Sequence, residues 1–152
     1  MNRKQAALAA AAVIIPAMAV FGVQSRTPDV DAPSAGAPEI IAASFVSAWC
    51  ASCKILEPRL AKVIPEFRGA PVKFEALDFT FGPRPELAQQ AADDGYSLVY
   101  ARFAGATGFT LLIDPDTGDV VDRLTMSDTE TSMRERIAAA IARAQAAEKT
   151  PR

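Results

Sequence analysis

Residues 40–47 read IIAASFVS, an uncharged run that leads past a single tryptophan into the only two cysteines of the chain, Cys50 and Cys53. So short an apolar run, with little polar content, reads as a buried strand. Helical spacing begins directly behind it. Ile55, Leu56, Leu60, Val63 and Ile64 predict a helix over 51–67, interrupted at Pro58. A buried strand feeding a helix opens a layered α/β domain. Half of the 152 residues are hydrophobic, enough for one substantial core, while the length is too short for two ordinary domains.

The alternation continues. Residues 72–79, VKFEALDF, read as a second strand, and 86–94 as a helix closed by Gly95. Residues 109–114 and 120–126 are strands joined by Pro115, Asp116, Thr117 and Gly118, a hairpin turn. Residues 128–149 form an Ala-rich amphipathic helix with Ser127 or Asp128 as its cap. Strand, helix, strand, helix, hairpin, helix predicts a central mixed β-sheet flanked by helices on both faces. Tyr96, Tyr100 and Phe103 are expected in the core rather than in a binding patch. Arg134, Glu135, Arg136, Arg143, Glu148 and Lys149 are expected to form a solvated helix face.

Two segments of different character precede this domain, which spans 40–149. Arg3 and Lys4 make a basic start, residues 6–23 are uncharged and almost wholly apolar, and Ala17, Met18 and Ala19 fit a small-residue cleavage site. Residues 1–23 are therefore expected to be a signal peptide or, uncleaved, a membrane anchor through residues 6–23. Either way the domain is expected to be exported, to the periplasm or the periplasmic face of the inner membrane. Residues 24–39, rich in Pro, Ala, Ser and Gly, read as a flexible linker. A net charge of −2 with no basic stripe argues against nucleic acid as a partner. The chain has no histidine, so the commonest metal ligand and the commonest general base are both missing.

The cysteine pair falls where the strand ends and the helix begins. Unpaired N–H groups and the positive end of the helix dipole favour an anion there. A Cys50 thiolate gains from this, which lowers its pKa and makes it a nucleophile toward a disulfide sulfur. Cys53, three residues on, can attack the mixed disulfide that results. With only Ala51 and Ser52 between the thiols, no positive side chain adds to the effect, and modest activation is expected. Other uses of two cysteines stay open. Two thiolates complete a zinc site only with ligands from a second chain. A permanently closed disulfide would staple four residues and constrain the unfolded chain little.

The segment SFVSAWCASCKILEP resembles the thioredoxin family: a strand, Trp-Cys-x-x-Cys-Lys, a helix, and a proline, Pro58, five residues after the second cysteine. The stretches LDFT and TGFTLLIDPDTGDVVDRL are similar in order and chemistry, so the resemblance covers roughly residues 40–148. It implies a thioredoxin-like fold and a thiol–disulfide oxidoreductase with no cofactor and no metal. Cys50 would attack, Cys53 would resolve, and Trp49 would pack beside them. Ala51, Ser52, Lys54, Gly108, Phe109 and Thr110 would be their neighbours. Its partners would be a protein or small thiol or disulfide substrate and an envelope electron donor or acceptor, with the chain working as a monomer. An alternative is a binding module that keeps the fold and holds a soft metal such as Cu(I), or a partner protein, without redox turnover.

The chain departs from the family's pattern in three places. Ser44 stands six residues before Cys50, where the family has a buried acid. Phe109 stands where the family has a cis-proline. A cis bond before a non-proline residue costs about 2.5–4 kcal/mol, so the Gly108–Phe109 peptide is expected to be trans. The Phe109 ring would then either cap the groove over the thiols or pack in the core at the start of its strand. The stretch from Phe81 to Gly105 is longer than the family's crossover.

Overall fold

A computed structural model of the chain describes residues 37–149. The expected signal or anchor, and all but the end of the expected linker, lie outside the described residues. Strand β1, Ile40–Val46, is buried at every position, because it has a strand on each side and helices over both faces. β2 (Val72–Asp78) pairs with it in parallel, and β3 (Phe109–Ile113) and β4 (Val120–Thr125) follow antiparallel, giving the order β2-β1-β3-β4. The β3–β4 hairpin turns as the sequence predicts, with the Gly118 N–H on the Asp114 carbonyl at 2.8 Å.

Alternate residues of β1 separate two apolar layers, as the two-residue strand period requires. Ile40 and Ala42 pack with Leu56, Leu60 and Val63 of helix α1 (Cys53–Val63) and with Met133, Ile137 and Ile141 of helix α4 (Glu130–Glu148). Ile41, Ala43 and Phe45 pack on the other face with Leu87 and Ala91 of helix α2 (Pro85–Asp93) and with Val99 and Tyr100 of helix α3 (Ser97–Phe103). This is the thioredoxin-like α/β architecture, a mixed sheet between two helical layers.

Several local expectations need correction. Helix α1 begins at Cys53, not residue 51, because the Cys50 N–H bonds the Ser47 carbonyl and turns residues 47–50 outside the helix. It runs through Pro58 without a break. Pro58 and Lys54 are both exposed, so the Lys54 carbonyl left without a helical partner faces water. Beyond Val63 the chain tightens into a 3₁₀ turn, Ile64–Phe67, with Pro65 in its first turn, where a missing N–H is tolerated. Helix α3 was not foreseen. Seven residues, about two turns, fall short of the window in which helical periodicity stands out, and its buried Val99 and Tyr100 fill the α2 side of the sheet. Tyr96 and Tyr100 are in the core as expected, with Phe103 partly buried against it.

The cap of α4 is Thr129, whose hydroxyl accepts the Ser132 N–H at 3.1 Å. Asp128 is occupied elsewhere: it accepts the Thr125 N–H at 2.8 Å and a guanidinium N–H of Arg136 at 2.7 Å. The α4 charges are therefore not merely solvated. Arg136 also bonds Asp122 and the Arg123 carbonyl, and Arg134 pairs with Glu66.

Candidate functional site

The site lies where β1 delivers its C-terminal end to the start of α1. Cys50 and Cys53 are joined as a disulfide with Cα atoms 5.3 Å apart. Ser52 is the cap residue of α1 but makes no side-chain cap bond, and the first turn holds no acid. The Cys53 N–H, the first of the helix, instead points at the Cys50 sulfur at 3.1 Å. The sulfur thus occupies the place of a capping oxygen, where the helix stabilises a developing thiolate. Exposure divides the pair: Cys50 is partly exposed and Cys53 only 1%.

Gly108 presses on the disulfide from the loop before β3. Its N–H bonds the Phe45 carbonyl at 2.8 Å, and its φ of +97° lies in the left-handed region. A Cβ there would stand 3.3 Å from the Cys50 sulfur and 3.0 Å from the Ser52 Cβ. Only glycine lets the loop approach this closely without displacing its neighbours.

The remaining expected site residues divide. Ala51 and Ser52 form the turn between the cysteines, and Lys54 follows them with its side chain in solvent. No cis peptide occurs among the described residues, so the Gly108–Phe109 bond is trans, as expected. The Phe109 ring does not cap the groove. It is 3% exposed, stacks on Phe45 at 5.0 Å, meets Phe103 edge-on at 5.7 Å and lies under the Arg123 guanidinium at 4.1 Å. Thr110 is fully buried, and it and Ser44 share a hydroxyl hydrogen bond of 2.8 Å, in the sheet layer that faces α1. Trp49 corrects the expectation that it packs beside the thiols: at 82% exposure it stands in solvent, because the residues 47–50 turn lifts it away from the core.

Residues beyond the expected set shape the site. The Ala48 N–H bonds the Thr80 hydroxyl at 2.8 Å, and Asp78 accepts both the N–H and the hydroxyl of Thr80. This chain of bonds ties the loop carrying the cysteines to the end of β2. The Asp-x-Thr spacing in LDFT is the sequence signal for it, since such residues bond the backbone two positions on. The Thr80 bonds hold the Asp78 carboxyl below the ordinary aspartate range. Glu57, on the neighbouring flank of α1, is pushed above the ordinary glutamate range by partial burial and by the Asp78 charge. Among the described residues no group of three or more His, Cys, Asp or Glu side chains could hold a metal ion.

A strand entering a helix through Cys-x-x-Cys, a parallel neighbour on one side and an antiparallel hairpin on the other together define the thioredoxin-like fold. No protein-family model and no curated protein matches the chain. Among solved structures it is similar to Fasciola hepatica thioredoxin, at 22% identity over 68% of this chain and 83% of that one, with a TM-score of 0.44. StoA from Bacillus subtilis is similar at 12% identity over 66% of this chain and 84% of its own (TM-score 0.45). A putative protein disulfide isomerase from Bacteroides thetaiotaomicron is similar at 18% identity over 68% and 74% (TM-score 0.46).

Proposed function

We propose that this chain is an exported thiol–disulfide oxidoreductase that acts on protein or small-molecule disulfides and thiols through Cys50 and Cys53. The observation that carries the reading is the division of the pair at the start of α1, with Cys50 reachable and facing a helix N–H, and Cys53 buried behind it. In the reducing direction the Cys50 thiolate attacks a substrate disulfide, and one substrate sulfur leaves with the electron pair. Cys53 then attacks the Cys50 sulfur and releases the second substrate thiol. The substrate gains two electrons, and the Cys50–Cys53 pair is oxidised to the disulfide. An envelope donor restores the dithiol; with an acceptor in its place the same steps run in reverse. The exposed Trp49, one residue before Cys50, and the exposed Phe81, one residue after Thr80, each 82% exposed, favour a protein substrate that brings apolar surface to this end of the sheet. Export rests on the basic, apolar and small-residue order of residues 1–23. Among the described residues no helix is long and apolar enough to cross a membrane.

The test is alkylation of the reduced protein with iodoacetamide, alongside insulin-disulfide reduction and metal analysis of the purified protein. Cys50 should react much faster than Cys53, and a Cys53→Ser variant should trap a mixed disulfide through Cys50. Equal alkylation rates with no trapped species and no insulin turnover would overturn the reading.

A further inference from the structure

The turn at residues 47–50 carries the attacking sulfur but belongs to neither β1 nor α1. A single bond closes it, from the Cys50 N–H to the Ser47 carbonyl at 3.1 Å. Ala48 and Trp49 at its tip are exposed, so packing holds it only weakly. Reduction removes the Cys50–Cys53 bond, a covalent tie, as well. Yet the sulfur has to stay where the Cys53 N–H meets it at 3.1 Å, because a thiolate is stabilised there. A further anchor is needed.

Thr80 supplies it. β1 lies between β2 and β3, so the turn at its end is approached from both sides. From the β3 side Gly108 presses on the Cys50 sulfur. From the β2 side the Thr80 hydroxyl accepts the Ala48 N–H at 2.8 Å. Among the described residues, no other hydrogen bond from residues 47–50 reaches beyond α1. The direction of this bond is fixed. An amide N–H can only donate, so the hydroxyl proton has to point elsewhere. It points to the Asp78 carboxylate at 2.5 Å, and the same carboxylate oxygen accepts the Thr80 N–H at 2.8 Å. The charge-assisted bond locks the hydroxyl, and donating its proton makes the oxygen a better acceptor for Ala48. Arg84 in turn donates to the Asp78 carbonyl at 3.2 Å and steadies the end of β2.

We propose, on the basis of the dithiol reading above, that Thr80, braced by Asp78, is a positioning residue for the attacking thiol. Its hydroxyl holds the turn at residues 47–50 so that the Cys50 sulfur faces both the Cys53 N–H and the incoming disulfide. In the step it assists, the Cys50 thiolate bonds to one substrate sulfur and the substrate S–S bond breaks. The electron pair of that bond leaves on the other substrate sulfur as a thiolate. Thr80 touches none of the reacting atoms and acts through the Ala48 backbone.

The test uses the reduced full chain and an aromatic disulfide whose leaving thiolate is coloured, with the first equivalent released when Cys50 attacks. Thr80→Val keeps nearly the same shape and leaves the Ala48 N–H without its acceptor. Its first phase should be about three- to tenfold slower, the factor that one net hydrogen bond contributes. Thr80→Ser, which restores the hydroxyl, should recover most of the rate. Asp78→Ala should slow the phase by a smaller factor, because the hydroxyl stays but is free to rotate. Trp49 is the only tryptophan in the chain, so its fluorescence anisotropy reads the mobility of the turn directly. The anisotropy should fall in Thr80→Val and return in Thr80→Ser. A Thr80→Val protein with the wild-type first phase and anisotropy would overturn the proposal. A loss that Thr80→Ser fails to recover would also overturn it, by placing the effect in the packing of the methyl group. Absence of the first phase in the wild-type chain would instead defeat the dithiol reading itself, so the two failures are separable.

Discussion

Replacing Gly108 with alanine puts the closest contact in the site under strain. The backbone there has φ +97°, and holding an L-residue in the left-handed region costs roughly 1–2 kcal/mol. The new methyl would meet the Ser52 Cβ at 3.0 Å and the Cys50 sulfur at 3.3 Å, and overpacking of this kind costs about 1–3 kcal/mol. Lost freedom in the unfolded chain offsets about 0.4–1 kcal/mol. The net is a destabilisation of about 1–5 kcal/mol, or a melting point lower by about 4–18 °C for a domain of this size. The crowding should also depend on redox state. The disulfide pins the Cys50 sulfur beneath Gly108, whereas a free thiol can rotate away. If about 1.4 kcal/mol of the strain falls on the oxidised form alone, the reduction potential rises by about 30 mV. Thermal melts of both redox states and equilibration against glutathione buffers measure the two effects. A Gly108→Ala protein that melts with the wild type in both states, at an unchanged potential, would refute the close approach.

Two further outcomes follow from side chains away from the sulfurs. Phe109→Ala should cost about 3–5 kcal/mol, the range for removing a buried aromatic, and should give no new activity toward insulin; an unchanged melting point with broadened turnover would mean that the ring guards the groove. Arg136→Met should cost about 1–3 kcal/mol at neutral pH, because Arg136 holds the Asp122 carboxyl below its ordinary range and, after the Thr125 N–H, helps to hold that of Asp128 there. Carboxyls with depressed folded values give stability above their unfolded values and lose it on acidification. The penalty should therefore shrink as pH falls through about 4 and below, and a penalty constant down to pH 2 would exclude this ion network.

What the sequence made legible is what repeats along the chain. β1 shows itself because every residue of it is buried and none is charged. The site shows itself because Cys50 and Cys53 meet at a strand-to-helix junction that local pattern alone locates. Features that depend on distant residues were hidden. Nothing near Arg136 in the sequence announces Asp122, which β4 brings to it, and nothing near Thr80 announces the Ala48 N–H across the sheet. Phe109 had two open roles because strand direction, and hence the face its ring takes, is fixed only once β3 pairs with β1. Antiparallel register opposite Phe45 sends the ring into the α2 and α3 layer and leaves the Gly108 backbone against the sulfurs.

That register also decides where charge can sit. Pairing Ser44 with Thr110 satisfies both hydroxyls in each other and fills the sheet layer facing α1 with neutral groups. An ionised carboxylate in that position would be costly to bury unless it had partners of its own. With the layer neutral, charge is confined to the rim. There Asp78 is anchored by Thr80, and partial burial and the Asp78 charge push the Glu57 carboxyl above the ordinary range. A Ser44→Asp exchange would put a carboxyl into the buried layer beside Thr110 with no ionic partner, so it should lower the melting point at neutral pH more than at acid pH, and an unchanged melting point would show that the layer accepts a charge.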